Sequence, residues 1–397
     1  VMASDLIAAP VTGIQTMLCG DAHLSNFGVF ATPERKLVFD INDFDECYPG
    51  PWEWDLKRLA ASAVVAGREN GFKDKVNRKL AVAVAETYRW AMGRFSEASS
   101  LDVWYYHVDT DAVLSVFEAA SSKKGKKGAQ KMVKKARSRT HQQTLDKLTH
   151  FVDGRRRIVS DPPLLVPFPL REMGIEEHLS EAELRQMTEQ NVEDAWRQYL
   201  DSLPDERRYL LQHYKITDAA LRVGGVGSVG TRCAIVLLEG GAEDDALILQ
   251  LKEAGPSVLQ AYLPKRKRIY SQHAQRVVTG QRLMQAASDM FLGWHTGRMT
   301  ELDYYWRQLK DMKGSVDVAA MDEEGLRAYL SVCSVCLARA HARTGDEVAI
   351  WGYLGSNETF ANAMADFGVA YADQTERDHR ALEKAVKSGR IAAEMGI

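Results

Sequence analysis

The chain has 397 residues, 45% of them hydrophobic and 26% charged, which is typical of a globular protein and excludes a disordered or fibrous one. Its 51 Lys and Arg nearly balance its 54 Asp and Glu, so the net charge of −3 predicts no general affinity for nucleic acid or membrane surfaces. No stretch approaches the ~18 consecutive apolar residues of a membrane span, and we expect a cytoplasmic protein with no membrane partner.

The N-terminal part of the chain is predicted to contain strands followed by helices. Residues 11–48 alternate short apolar runs with turns, a pattern typical of strands and a hairpin. From Trp52 to about Ser96 the apolar residues recur at helical spacing, interrupted by a turn at residues 69–71, which predicts a helical hairpin.

The segment 121–157 is strongly basic. It contains thirteen Lys or Arg and only two acidic residues, Asp146 and Asp153. One interpretation is a solvated, partly mobile basic helix, and the other is a surface for an anionic substrate or partner. Aromatic residues are not interleaved with the charges as base stacking would require, so the segment is not a clear nucleic-acid site.

A proline-rich linker, DPPLLVPFPL at 161–170, separates this segment from helices predicted over roughly 180–214. The next run, ALRVGGVGSVGTRCAIVLLEGGAEDDALILQLKEA, predicts antiparallel strands joined by a turn at 240–241. The remaining predicted elements are a helix around 257–288, a strand pair near FLGW and YYWRQL, and helices from about residue 323.

The five cysteines are odd in number and scattered, which fits reduced thiols better than a disulfide framework. Cys333 and Cys336 form a C-x-x-C within a helical pattern, so both are expected on one helix face. Core packing is favoured over a redox or metal role.

Three clusters carry candidate chemistry, and the first is GDAHLSN. It places Asp21, His23 and Asn26 on a tight loop directly after the apolar strand IQTMLC. Polar side chains held at a strand end suit a functional site better than a core.

The second cluster is FDINDFDE, which places Asp40, Asp43, Asp45 and Glu46 at the end of the strand LVFDI. Clustered carboxylates repel one another unless a cation offsets them, so a hard metal such as Mg²⁺ is the natural counter-charge. The alternative is that some of these acids cap the following turn, above all Asp40 and Glu46.

The third cluster is a glycine loop, GVGSVG, with Gly225, Gly227, Ser228 and Gly230, followed by Lys252. A dinucleotide fold would need this loop to open a helix, whereas here it opens the strand-like TRCAIVLL. A glycine loop between antiparallel strands, followed by a strand with an inward lysine, is how protein kinases hold ATP phosphates. An ordinary hairpin with a glycine-rich turn remains the alternative.

These motifs carry two resemblances. GDAHLSN is similar to the HGDxxxxN loop of kinase-like aminoglycoside and choline phosphotransferases, and INDFDE with GPWEWDLKRLA resembles their IDFxx…GxxxxDLA. More closely, GDAHLSNFG, FDINDFDE, PGPWEWDLKRLAAS, GVGSVGTRC, GQRLMQAASD and LARAHAR together resemble the uncharacterised bacterial family called domain of unknown function 2252. The motifs of that family spread over nearly the whole chain.

The resemblance to phosphotransferases implies a role for each residue. Asp21 would orient or deprotonate the acceptor hydroxyl, Asn26 and Asp43 would hold Mg²⁺, and Lys252 would pair with the ATP phosphates under the glycine loop. His23 and Asp55 would give structural support, Asp55 by bracing the catalytic loop. Gln308 and Lys310 are the candidates for the adenine-binding hinge.

The fold class that the resemblance implies is α+β: a protein-kinase-like, two-lobed and circularly permuted fold, with a small antiparallel sheet lobe and a large, mainly helical lobe. The chain also exceeds the ~250–300 residues of one hydrophobic core. The expected parts are 1–160 for the catalytic-loop part of the large lobe with the basic segment, 161–220 for a linker and helices, 221–315 for the small nucleotide-binding lobe, and 316–397 for the C-terminal helices of the large lobe.

The order of the motifs predicts the permutation, because the loops at 21–55 precede the glycine loop and Lys252 by about two hundred residues. Asp21, Asn26 and Asp43 should nevertheless face Lys252 across a cleft, and the helix LARAHAR should pack close to GDAHLSN. A single Mg²⁺–triphosphate has to touch both sets of residues.

The partner of Lys252 departs from the kinase pattern. No Glu occurs between Glu253 and Asp289, so the following helix lacks the usual ion-pair carboxylate. Gln281, Gln285, Glu253 or an acid from elsewhere must substitute.

The sequence thus predicts an ATP- and Mg²⁺-dependent phosphotransferase acting on an unidentified hydroxyl acceptor, expected to be a small molecule. A non-catalytic nucleotide-binding protein and an AMP-transferring enzyme are the alternatives. The D-x-H of Asp21 and His23 is also the first part of the metallophosphoesterase signature. That class is disfavoured because its other two motifs, GDxxD and GNH, do not occur.

Overall fold

The computed structural model describes residues 1–120, 123–138, 140–167, 181–223, 230–242, 245–264, 270–298, 300–309 and 312–393. Over these residues the chain is a mixed α+β protein, in which long helices pack together and short antiparallel strands form sheets. The α+β class expected from the sequence is therefore confirmed.

The helices and strands follow one another along the chain. The helices are α1 (Met2–Leu6), α2 (Glu53–Glu69), α3 (Asp74–Ser96), α4 (Ser100–Tyr105), α5 (Thr110–Ala120), α6 (Lys123–Ser138), α7 (His141–Leu148), α8 (Glu181–Asp201), α9 (Asp205–Leu211), α10 (His273–Met284), α11 (Glu323–Ala342), α12 (Glu347–Leu354) and α13 (Thr359–Lys387). The strands are β1 (Gln15–Leu18), β2 (Phe27–Ala31), β3 (Leu37–Ile41), β4 (Tyr48–Pro51), β5 (Val108–Asp109), β6 (Thr149–Val152), β7 (Arg155–Ile158), β8 (Leu165–Pro167), β9 (Lys215–Arg222), β10 (Cys233–Glu239), β11 (Ala246–Ala254), β12 (Gly293–Thr296) and β13 (Asp303–Gln308).

Helix α3 is the centre of the helical part, and it packs against α2, α11, α12 and α13. Small residues let these helices approach closely. A Cβ added at Gly368 of α13 would lie 3.1 Å from the carbonyl oxygen of Ala60 in α2. A larger side chain at this position would therefore force α13 away from α2.

Two short sheets lie beside these helices and carry the loops predicted to be functional. One consists of β1 and β4, and the other has the order β2-β3-β5. Val29 and Phe39 of the second sheet are buried in the same core as α3 and α11. The loop after β1 and the turn after β3 are thus fixed on packed strands.

The largest sheet has six strands in the order β12-β13-β11-β10-β9-β8, and its β10 and β11 are antiparallel, as predicted. Lys252 pairs with Cys233 on β10 and with Tyr305 on β13. The face that includes Ile235 and Ile248 is covered by apolar side chains of α7 and β7. The opposite face packs against α8 and α9 through residues such as Tyr199.

Two elements differ from the sequence prediction. The helix expected over 257–288 is shorter: α10 begins at His273, and residues 258–261 form a single 3-10 turn. The basic segment 121–157 is not one helix, because it continues from α6 through α7 into the hairpin β6–β7. Lys127, Lys131 and Lys134 of α6 are exposed, and binding of an anionic partner by this segment stays a prediction.

All five cysteines are buried and free. Cys333 and Cys336 lie on α11 within the main hydrophobic core, which confirms the core-packing interpretation. Burial is the main cause that raises the pKa of four of the thiols, those of Cys19, Cys47, Cys333 and Cys336. These thiols are therefore poor nucleophiles at neutral pH.

We expect acid to destabilise the six-stranded sheet through His295. This side chain is buried and accepts a hydrogen bond from the Trp306 indole at 2.7 Å. Burial lowers the pKa of His295 to about 4, from an ordinary value of 6.5, although Asp303 opposes the shift. As the pH falls, the unfolded state takes up the proton before the folded state does. The contribution of His295 to the free energy of unfolding is therefore complete above pH ~6.5 and falls by up to ~3 kcal/mol as the pH drops towards 4.

Urea unfolding at about pH 7.5 and about pH 4.5 measures this loss of stability. The variant His295→Gln keeps a hydrogen-bond acceptor for Trp306, but its side chain does not titrate. Its loss of stability between the two pH values should therefore be clearly smaller than that of the wild type. Equal losses in the two proteins would assign the acid sensitivity to other groups.

Candidate functional site

Two acidic side chains face the amine of Lys252. Asp43 and Asp45 lie on the turn after β3, and Lys252 lies near the end of β11. The Nζ atom of Lys252 is 2.5 Å from Oδ2 of Asp45 and 3.8 Å from Oδ2 of Asp43. The Lys252 side chain is only 12% exposed and is therefore largely shielded from water, whereas the Asp45 side chain is 35% exposed.

The surroundings favour the charged forms of Lys252 and Asp43. The Tyr305 hydroxyl donates to Oδ1 of Asp45 at 2.6 Å. Burial acts to lower the pKa of Lys252, but Tyr305 and Asp45 raise that pKa above its ordinary value. Burial acts to raise the pKa of Asp43, but the charges of Lys252 and Arg307 hold that pKa below its ordinary value.

The partner of Lys252 is thus an acid from elsewhere in the chain, Asp45. The other candidates are engaged differently: Gln281 donates to Gln285 at 2.8 Å, and the Glu253 carboxylate accepts from a backbone N–H at 3.0 Å. Gln281 lies on α10, and Gln285 follows its last residue.

Arg276 of α10 holds the acidic turn from its other side. Its guanidinium donates to the carbonyl oxygens of Asp45 at 2.9 Å, Cys47 at 2.6 Å and Gly255 at 2.9 Å. Arg276 is buried, so these charge-assisted bonds replace its lost hydration. The turn and the end of the sheet are therefore joined through one side chain.

Asp21 lies on the loop after β1 and faces α2. Arg58 Nε donates to Oδ1 of Asp21 at 2.7 Å, and His23 Nε2 is 3.7 Å from its Oδ2. The Asp21 side chain is 47% exposed, so a ligand can reach it. Burial lowers the pKa of His23 although Asp21 opposes the shift, and the imidazole is therefore mainly neutral at pH 7.

Asn26 connects the loops that carry Asp21 and Asp43. Its buried amide nitrogen donates to the carbonyl oxygen of Asp21 at 3.2 Å and to that of Asp43 at 3.0 Å. The three residues predicted to hold the acceptor and the metal therefore form one continuous patch.

Asp55 lies at the start of α2, beneath the loop that carries Asp21. Its carboxylate accepts the backbone N–H groups of Cys19 at 2.8 Å and Gly20 at 3.1 Å. His341 Nε2 lies 3.4 Å from the same carboxylate, and Tyr88 lies 2.8 Å from the other ring nitrogen. His341 belongs to LARAHAR, so this helix does pack close to GDAHLSN.

Asp40 and Glu46 have structural partners, which come from distant parts of the chain and not from the following turn that these acids were expected to cap. Arg339 binds both oxygens of Asp40, at 2.7 and 2.8 Å, and this ion pair is buried. The Glu46 carboxylate accepts the backbone N–H of Val258 at 2.7 Å. Neither acid is directed to Lys252.

The predicted nucleotide-binding residues are described only in part. Gly225, Gly227, Ser228 and Lys310 lie outside the described residues. Gly230 has a φ of +87°, a left-handed conformation that favours glycine, just before β10. Gln308 ends β13, and its backbone N–H donates to Asp289 at 2.6 Å, so this donor is already used by the protein.

Asn26 and Asp43 were also predicted to bind Mg²⁺. Within the described part of the chain, no group of three or more His, Cys, Asp or Glu side chains is placed to hold a metal ion. Mg²⁺ commonly uses only one or two protein carboxylates and takes its other ligands from phosphates and water. Asp43 offers one carboxylate, and the Asn26 amide that binds the Asp43 carbonyl oxygen lies beside the same turn.

The fold and the site define an α+β protein in which acidic loops converge on a lysine of an antiparallel sheet. Over residues 1–385 the chain matches the family described as "Uncharacterized protein conserved in bacteria (DUF2252)", and it belongs to that family. The motif resemblance to that family is thereby confirmed, and the resemblance to kinase-like phosphotransferases stays a prediction. No curated protein and no solved structure shows significant similarity to the chain. None of the helices in the described residues combines the length and apolar character needed to cross a bilayer.

Sequence reasoning missed four contributors to the site: Arg58, Arg276, Tyr305 and Arg307. A signal was present for three of these residues. Tyr305 and Arg307 alternate on a predicted strand, so they share one face of the sheet. Arg58 follows Asp55 by three residues, which places both on one side of a helix.

We expect Asp55→Ala to destabilise the protein by on the order of 3 kcal/mol, because two buried backbone N–H groups lose their acceptor. The free energy of unfolding in urea is the measurement. Asp373→Ala is the matched control, since Asp373 forms a half-exposed ion pair with Arg68 and its loss should cost at most ~1 kcal/mol. Similar losses in the two variants would contradict a bracing role for Asp55.

Proposed function

We propose that the protein is an ATP- and Mg²⁺-dependent phosphotransferase of kinase-like, circularly permuted fold that acts on a hydroxyl group of a small molecule. One observation carries the proposal: Lys252 Nζ lies 3.8 Å from Asp43 although about two hundred residues separate them. Phosphoryl transfer needs a phosphate-binding lysine and a metal-binding carboxylate at the same triphosphate. The contact supports the proposal, because one triphosphate is long enough to reach both residues.

The position of Lys252 in the sheet supports the same proposal. The segment with Gly225 and Gly230 connects β9 to β10, and Lys252 lies on the next strand, β11. In protein kinases a glycine-rich loop covers the phosphates, and the lysine that binds them lies on the third strand. Counted from β9, Lys252 also lies on the third strand.

Each side chain of the site has a role in this proposal. Asp21 is exposed and held by Arg58, so it can accept a hydrogen bond from the acceptor hydroxyl. Asn26 and Asp43 would hold Mg²⁺, which when bound supplies positive charge to the phosphate oxygens. Lys252 would bind the phosphates from the opposite side.

Asp45 takes the part that a Glu of the neighbouring helix plays in protein kinases. It pairs with Lys252 at 2.5 Å and accepts from Tyr305, which fixes the direction of the lysine. Arg276 supplies the link to α10, because it holds the backbone of Asp45. The helix thus acts on the lysine indirectly, through the acidic turn.

We expect calorimetry to detect binding of a non-hydrolysable ATP analogue in the presence of Mg²⁺. Lys252→Ala should weaken that binding about tenfold or more, since one charge-assisted contact to phosphate is lost. Asp21→Asn should leave the affinity nearly unchanged and lower turnover by at least ~100-fold in a metabolite screen that follows ADP release.

Lys215→Ala is the control for Lys252, because Lys215 is an exposed lysine of the same sheet. The proposal fails if no nucleotide binds with or without Mg²⁺. Release of pyrophosphate in place of ADP would identify an AMP-transferring enzyme. Nucleotide binding that keeps its Mg²⁺ dependence in Asp43→Ala would remove Asp43 from the metal site.

A further inference from the structure

A cavity of about 330 Å³ opens beside the site described above. Its walls come from the turn between β2 and β3, from α10 and from the end of β13. The volume is at the small end of the range of ligand pockets. Three basic side chains contribute to the lining, Arg35, Arg307 and Lys313.

The two acidic residues of the lining already have partners. The Tyr214 hydroxyl donates to Asp245 at 2.5 Å. Asp289 accepts the backbone N–H groups of Phe291 at 2.8 Å and Gln308 at 2.6 Å. These bonds fix the positions of the two carboxylates in the wall.

Arg307 is placed to bind such a ligand. It lies opposite Gln250 in the sheet, and its Nε donates to the Gln250 amide oxygen at 3.1 Å. Among the described residues, no carboxylate oxygen lies within ion-pair distance of its guanidinium. Its terminal nitrogens therefore keep hydrogens for an acceptor, and a guanidinium matches the oxygens of phosphate or carboxylate.

Lys313 is the second basic group of the same wall. The charge of Arg307, together with burial, lowers the pKa of Lys313 to about 7. When Lys313 is protonated, the two side chains therefore repel each other. An anion between them would offset this repulsion.

We propose that the cavity binds an anionic group, a phosphate or a carboxylate of a ligand, through Arg307 and Lys313. Binding of an anion by the cavity does not depend on the proposed function. The inference rests on the proposed function only where it names the source of the anion, which is either the nucleotide or the acceptor. The guanidinium supplies paired donors and the lysine a second positive charge. With Lys313 protonated, the lining carries three positive and two negative side chains.

The test measures binding of pyrophosphate without Mg²⁺ by calorimetry. We expect Arg307→Gln and Lys313→Gln to weaken it about 10- to 100-fold each, as loss of a charge-assisted hydrogen bond predicts. Arg307→Lys should retain more affinity than Arg307→Gln, and equal melting temperatures of these two variants separate lost binding from misfolding. The control Arg197→Gln, an exposed arginine of α8, should bind as the wild type.

Competition between pyrophosphate and the ATP analogue with Mg²⁺ identifies the source of the anion. If the two ligands exclude each other and both depend on Arg307, the anion is a nucleotide phosphate. If they bind together and only pyrophosphate depends on Arg307, the anion belongs to the acceptor.

Two results would overturn the inference: a wild type that does not bind pyrophosphate, or an Arg307→Gln variant that binds it unchanged. Arg307-dependent binding of pyrophosphate in a protein that binds no ATP would instead reject the proposed function and leave the inference intact.

Discussion

The ion pair between Lys252 and Asp45 is the contact on which the arrangement of the site depends. It joins the six-stranded sheet to the turn after β3, and its lysine is almost fully shielded from water. Loss of Asp45 would leave a poorly solvated lysine with only the more distant Asp43 nearby, which is more costly than loss of a surface pair. Arg276 adds three bonds to backbone carbonyls, two of them within the same turn. The acidic turn is therefore shaped by the sheet and α10 and not by its own sequence alone.

Much of this architecture could be predicted from local patterns. The helical hairpin of α2 and α3, the strands on either side of the 240–241 turn, and the loops at strand ends all follow from periodicity and turn residues. The choice of Asp45 as the lysine partner could not be predicted in this way. Four acids lie within seven residues there, and only tertiary packing decides which of them meets Lys252.

Helix α11 shows a second limit of sequence reasoning. Its apolar face was recognisable from spacing, and its cysteines are in the core. Its buried polar residues were not recognisable, because Arg339 and His341 look like ordinary surface residues until their partners are known. Asp40 and Asp55 supply those partners from far along the chain. Charges that are matched in the interior leave no local trace in a sequence.

Since every native thiol is buried, the folded protein offers thiol reagents no accessible target. A cysteine introduced at the exposed position of Lys36 or Lys215 would therefore be labelled selectively, without removal of the native ones. Lys36 lies on the turn between β2 and β3, and Lys215 begins β9. One position therefore marks the three-stranded sheet and the other marks the six-stranded sheet. A donor and an acceptor dye at these positions would report changes in the distance between them by fluorescence energy transfer.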